Sequence, residues 1–157
     1  MDALFQTQNN ELSTTTQKDK LFKDAEQQWN TLSAEKGVCG RKVEGEIYKS
    51  ILYNLEIRKV YLDSRLSLEK FSSIVGTNTT YLSNTVNRHF KCNLKQLINK
   101  YRVEHAMLLL DSGNCLIKDL SDRCGFTSKS VFYTAFRKTA GVTPSRYLSR
   151  RRLDATP

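Results

Sequence analysis

Long apolar runs are missing from this 157-residue sequence: no stretch approaches the roughly 20 apolar residues that cross a bilayer, which excludes a transmembrane helix. The N-terminus, Met1-Asp2-Ala3-Leu4-Phe5-Gln6, has neither the basic nor the apolar region of a signal peptide. Cysteine is sparse, and Cys39, Cys92, Cys115 and Cys124 form no C-x-x-C pair and no spacing that suits zinc. Cys124 falls in an apolar slot, where a free thiol acts as a small hydrophobe. A reduced, cytoplasmic compartment fits this usage, and a disulfide stays open as the alternative. The two histidines, His89 and His105, are sixteen residues apart with no acidic or cysteine ligand set around them, so no metal site is expected. No nucleophile–base pair, carboxylate dyad or phosphate loop stands out, and neither catalysis nor a cofactor is expected. Alternating strands are missing as well. Helix formers in amphipathic patterns recur throughout, so the expected class is all-α.

What the sequence has in excess is positive charge, and it is unevenly spread. Residues 1–59 carry nine Lys/Arg against nine Asp/Glu, whereas residues 60–157 carry sixteen against seven, which accounts for the whole net charge of +9. A basic surface confined to one region attracts a polyanion, through counterion release if that polyanion is DNA. A solvated basic face is the competing explanation of the charge alone.

A short pattern occurs twice. Leu68-x-x-Phe71-Ser72-x-x-Val75-Gly76 returns as Ile117-x-x-Leu120-Ser121-x-x-Cys124-Gly125, at a constant offset of 49. The spacing lines up one face of a short helix that the glycine ends. A second helix is predicted after each copy, and helix, glycine turn and helix make a helix-turn-helix, whose second helix can enter the major groove of DNA.

Taken in order, residues 1–42 read as a polar, partly disordered arm, Gln/Asn/Thr-rich over 1–16. Within it Phe22, Ala25, Trp29 and Leu32 mark an amphipathic helix at 17–34. That helix is read either as resting on the domain or as a homodimer contact, or as the end of a signalling helix from a missing upstream region. Gly37 and Gly40 place a linker at 36–42, and Val43, Ile47, Ile51 and Leu55 then predict a helix to about Lys59 that packs on the first helix-turn-helix. Tyr61-Leu62-Asp63-Ser64-Arg65 reads as the turn into that motif.

The first helix-turn-helix covers about 66–90, with Asn78 as N-cap of its second helix and Leu82 and Val86 on the inner face. The outer face presents Thr80, Ser83, Asn84 and Asn87, with Arg88 and Lys91 beyond. Short hydrogen-bonding side chains suit base edges, here Thr80, Ser83 and Asn84; Asn87, Arg88 and Lys91 are the phosphate candidates. A long helix, 94–111, is apolar on several sides, as a connector buried against two neighbours would be. The second motif covers about 116–139. Its turn is one residue longer, so the offset becomes 50, and Thr80, Ser83 and Asn84 match Ser130, Tyr133 and Thr134. Arg137 and Lys138 close its second helix on the phosphate side. Thr143 and Pro144 start a last helix, and Arg150, Arg151 and Arg152 end the ordered chain as either a phosphate contact or a solvated tail.

These residues resemble the DNA-binding domain of the arabinose-regulator (AraC/XylS) family of bacterial transcription factors. The most specific part is Ile117-x-x-Leu120-Ser121-x-x-Cys124-Gly125-Phe126, followed by Phe132, Phe136-Arg137-Lys138 and Gly141-Val142-Thr143-Pro144-Ser145-x-Tyr147. Tyr101-Arg102-Val103-Glu104-x-Ala106-x-x-Leu109-Leu110 resembles the family's linking helix, and Tyr81-Leu82-Ser83 with Asn99-x-Tyr101-Arg102-Val103 is similar to Bacteroides-type members. The resemblance implies a DNA-binding domain over 43–152, with two helix-turn-helix modules joined by a long linker helix. Their recognition helices would enter successive major grooves about 34 Å apart. It implies base contacts from Thr80, Ser83 and Asn84 in one module and Lys129, Ser130, Tyr133 and Thr134 in the other. Asn84 and Thr134 stand where many members carry arginine, and Ser72 and Ser121 replace a frequent alanine. Lys91-Cys92-Asn93 replaces a glycine-containing turn, so the first module is expected to start its connecting helix differently.

The expected function is sequence-specific binding of double-stranded DNA with transcriptional activation, RNA polymerase as a further partner, and no small-molecule ligand in this chain. Most members also carry a sensing domain, and residues 1–59 are too short and too polar to be one. A fragment of a larger regulator is therefore favoured over a stand-alone protein, and a membrane-bound sensor is one form such a parent would take. Two rivals remain at this point. One is an all-α protein–protein adaptor with an incidental basic face; the other is a DNA-repair methyl acceptor, which the scattered cysteines disfavour.

Overall fold

A computed structural model describes residues 41–155 together with Lys20, Lys23, Asp24 and Gln27. The residues carrying the expected amphipathic helix at 17–34 (Phe22, Ala25, Trp29 and Leu32), the polar stretch 1–16, the linker glycines and Cys39 lie outside the described residues. Among the described residues there are seven α-helices and no strand. They fall into two compact units, one containing residues 41–59 and 68–91 and the other 60–67 and 92–155.

In the first unit, α1 (Arg41–Leu52) packs on α2 (Leu68–Val75) and α3 (Thr79–Phe90). Ile47, Tyr48, Ile51 and Leu55 supply one side of its core, and Phe71, Leu82 and Val86 the other. α1 starts at Arg41, two residues ahead of the predicted start, and does not continue to Lys59 as a regular helix. It widens into a π-helical turn at Tyr53–Ile57. The cause is local: the buried Asn54 donates its side-chain amide to the Ser50 carbonyl at 2.8 Å, the acceptor in the i−4 position, and the ladder shifts by one residue. Gly76, at φ +82, turns the chain between α2 and α3. The Asn78 side chain then accepts from the Tyr81 N–H at 2.8 Å as the N-cap of α3.

The second unit is built on α4 (Leu94–Asp111), against which pack a 3₁₀ turn at Val60–Leu62, α5 (Leu120–Arg123), α6 (Lys129–Ala140) and α7 (Pro144–Asp154). Asn93 and Gln96 form a reciprocal capping box at the start of α4, with bonds of 2.9 and 3.0 Å. Its core is Val103, Ala106, Leu110, Leu120, Cys124, Phe126, Phe132 and Phe136. Burial pushes the Cys124 thiol up to about 12, so it acts as an apolar filler.

Three features depart from the sequence reading. The helix expected over Ile117–Gly125 is a 3₁₀ turn, Ile117–Asp119, followed by the single turn of α5; no capping side chain starts either piece. Tyr61-Leu62-Asp63-Ser64-Arg65, read as the turn into the first motif, lies in the stretch 60–67 that belongs to the second unit. Arg102, buried on α4, donates to the Tyr61 carbonyl at 2.6 Å and to the Asp63 carbonyl at 2.9 Å, and its guanidinium lies over the Phe126 ring. Finally, Lys91-Cys92-Asn93 does not start its helix differently. Lys91 takes the left-handed conformation at φ +56 that Gly141 takes at φ +75, and Asn93 caps α4 as Thr143 caps α7. The repeat therefore extends, at the offset of 50, into the helix that follows each module.

Candidate nucleic-acid interface

The second helix of each motif is oriented by its inner face. In α3 the buried residues are Leu82, Thr85 and Val86; in α6 they are Phe132 and Phe136. Phe126, Phe132, Phe136 and Tyr147 stack edge to face in sequence, with centroids 5.3, 5.7 and 5.8 Å apart, and fix the roll of α6 about its axis. Ser128 caps α6, accepting from the Val131 N–H at 3.2 Å, as Asn78 caps α3 fifty residues earlier.

With the rolls fixed, the outer faces follow. On α6, Lys129, Ser130, Tyr133, Thr134, Arg137 and Lys138 are all exposed. On α3, Thr80, Asn84, Asn87 and Arg88 are exposed and Ser83 is half-buried. Each α3 position maps onto α6 at the offset of 50, and the pair Asn87–Arg88 becomes Arg137–Lys138. Two outward residues escaped the sequence reading: Tyr81, 57% exposed, and its counterpart Val131, 40% exposed. The signal was present in the shared register, but an apolar side chain beside a predicted inner face reads as core. Neither has a packing reason to be exposed, and both border the polar positions, where a base methyl group could be met.

The phosphate candidates divide into free and engaged groups. Lys91, Arg137, Lys138 and Arg150 are exposed. Arg88 donates to both carboxylate oxygens of Glu44 on α1, at 3.1 and 2.9 Å, and the His89 ring lies 3.1 Å from the same carboxylate. Arg151 forms a two-bond pair with Asp111 at the end of α4, both bonds 2.9 Å, and Tyr147 donates to the same carboxylate at 3.1–3.2 Å. These hydrogen bonds hold the Asp111 carboxyl below its ordinary value and raise the Arg151 guanidinium. Arg151 thus pins α7 to α4 within the unit. The charge follows the units: residues 60–67 and 92–157 carry thirteen Lys/Arg against six Asp/Glu, residues 68–91 three against one.

Among the described residues no group of three His, Cys, Asp or Glu could hold a metal, and no helix is long and apolar enough to cross a membrane. Cys92, Cys115 and Cys124 are free thiols.

A family model described as a helix-turn-helix domain matches residues 71–150. The melibiose operon regulatory protein of Escherichia coli K12 is 31% identical over 97 residues, which cover 60% of this chain and 32% of that protein. The HTH-type transcriptional activator RhaR of Escherichia coli is 30% identical over 86 residues, covering 55% of this chain and 30% of RhaR. The chain thus spans about a third of the length of these relatives. Among solved structures, the C-terminal domain of AraT, a response regulator from Geobacillus stearothermophilus, aligns with a TM-score of 0.58 at 28% identity, covering 67% of this chain and 84% of that one. Two glycine-turned helix pairs among the described residues, matched over this span, have one reading: the chain belongs to the AraC/XylS-type family of helix-turn-helix proteins, which are DNA-binding transcription regulators and not enzymes.

Proposed function

We propose that α3 and α6 are the two recognition helices of a sequence-specific regulator and that they read two successive major grooves of one duplex. The observation that supports this best is that the outward positions of α3 and α6 correspond at a single offset, and all but the half-buried Ser83 are exposed in both modules. Thr80, Ser83 and Asn84 read one half-site, and Lys129, Ser130, Tyr133 and Thr134 the other. The threonine, serine and asparagine positions suit either adenine edges or thymine methyls, and Lys129 suits guanine. Asn87, Lys91, Arg137, Lys138 and Arg150, all exposed, are the residues that would hold the flanking phosphates. One relative is named a transcriptional activator, and RNA polymerase is the partner through which this protein, once on DNA, would raise transcription. A homodimer through the N-terminal arm would double the half-sites.

The test is a footprint on a duplex selected by the full chain from a random library. Lys129→Ala with Tyr133→Ala should lose protection of one half-site while the other stays protected. Loss of both halves together at every protein concentration, or of neither, would refute the two-helix reading.

A further inference from the structure

Glu44 is an anionic group held against the last turn of α3 in the first module. It stands in the first turn of α1, yet both of its carboxylate oxygens accept from Arg88, at 3.1 and 2.9 Å, and one lies 3.1 Å from the His89 ring nitrogen. Arg88 is the only arginine or lysine of α3. At the corresponding place in the second module, Lys138 has no ion-pair partner among the described residues, and Arg137 precedes it where the first module has Asn87. One helix therefore offers two unengaged cations at its phosphate end, and the other offers one cation already neutralised.

We propose that Glu44 is an affinity-determining residue that withholds Arg88 from DNA phosphate, so that α3 itself adds no cation to electrostatic binding and Lys91, just past its end, is left as the cation beside it. The inference rests on the reading of α3 as a recognition helix. The magnitudes allow it. An ion pair between side chains as accessible as these, 57% and 21% exposed, contributes on the order of 1 kcal/mol or less. That is enough to set the occupancy of Arg88 against a single phosphate contact.

The experiment measures affinity against salt for the full chain on a 30-bp duplex that the chain itself has selected. Each phosphate neutralised adds about 0.9 to the slope of log K on log salt. Arg88→Gln in the native background should leave that slope unchanged. Glu44→Gln should tighten binding about 2–5-fold at low salt, the equivalent of the pair's modest strength, and steepen the slope by about 0.9. Adding Arg88→Gln to Glu44→Gln should remove both gains. A native-background Arg88→Gln that lowers the slope by about 0.9, or a folded Glu44→Gln with unaltered affinity and slope, overturns the proposal. Thr80→Ala with Asn84→Ala separates this failure from failure of the underlying reading. If that pair leaves the first half-site footprint intact, α3 is not on DNA; if it abolishes the footprint while Glu44→Gln has no effect, only the role of Glu44 is wrong.

Discussion

Ser72 and Ser121 occupy the same slot in the two copies of the repeat, and their hydroxyls have different surroundings. Ser72 donates to the Glu69 carbonyl at 2.7 Å, while the Ser121 hydroxyl is buried without a hydrogen-bond partner. The first turn ahead of Ser121 is 3₁₀ and not α, so the acceptor used in the first copy is not presented in the same way. An unsatisfied buried hydroxyl costs about 1–3 kcal/mol, so Ser121→Ala should stabilise the protein by about 1 kcal/mol. A thermal melt with no rise, or a fall, would contradict this. The glycines also differ. A Cβ on Gly76 meets nothing within 4 Å, whereas one on Gly125 would lie 2.5 Å from the Leu62 carbonyl oxygen and 2.8 Å from that of Tyr61. Both have positive φ. Gly76→Ala should therefore cost only the left-handed strain, about 1 kcal/mol, and Gly125→Ala about 3 kcal/mol, as backbone atoms must also move. Equal losses in urea titrations of the two variants would remove the argument for a close approach at Gly125.

At the scale of elements, α7 is attached by a small polar cluster as well as by apolar contact. Asp111 accepts from Arg151 and Tyr147, and these bonds hold its carboxyl below the usual 3.8. A group whose pKa is lower in the folded state contributes stability that is complete above the unfolded value and is lost as pH falls through the folded one. The window is therefore below about 3.8. Asp111→Asn should be less stable than the parent at neutral pH, and the difference should shrink as pH drops through that window. A difference that stays constant down to pH 2 would show that the cluster does not hold α7. The cluster also marks where the sequence ran out. The period of apolar residues revealed α2, α3, α4 and α6 almost to their ends, since burial of one face fixes a helix's pattern. It could not reveal that Arg151 faces a carboxylate forty residues away, or that Arg102 is buried against backbone carbonyls; a charged side chain reads as surface until its partner is known. Asn54 was equally opaque, because a side chain that enters the helix ladder has no distinctive spacing. The left-handed Lys91 was hidden by the residue itself, as only glycine announces that conformation.

For the whole molecule, the pattern of charge determines how the two halves would share the work on DNA. The excess of cations over 60–157 was legible as a count, and the family match gives the polyanion as DNA. The structure adds where the cations stand: Lys129, Arg137 and Lys138 are exposed on α6, while Arg88 on α3 is engaged by Glu44. Affinity should then divide unequally. Arg137→Gln and Lys138→Gln should each lower the slope of log K on log salt by about 0.9, with binding weakened alike on matched and mismatched duplexes, because phosphate contacts carry no sequence information. Asn87→Ala, at the position matching Arg137, should leave the slope unchanged, since a neutral amide releases no counterion. Base-reading substitutions such as Thr134→Ala should behave in the opposite way, leaving the slope intact and narrowing the gap between matched and mismatched duplexes. Filter-binding isotherms over a tenfold range of salt distinguish the two classes. If Arg137→Gln altered sequence preference and not the slope, the assignment of the α6 face into base-reading and phosphate-holding ends would have to be reversed.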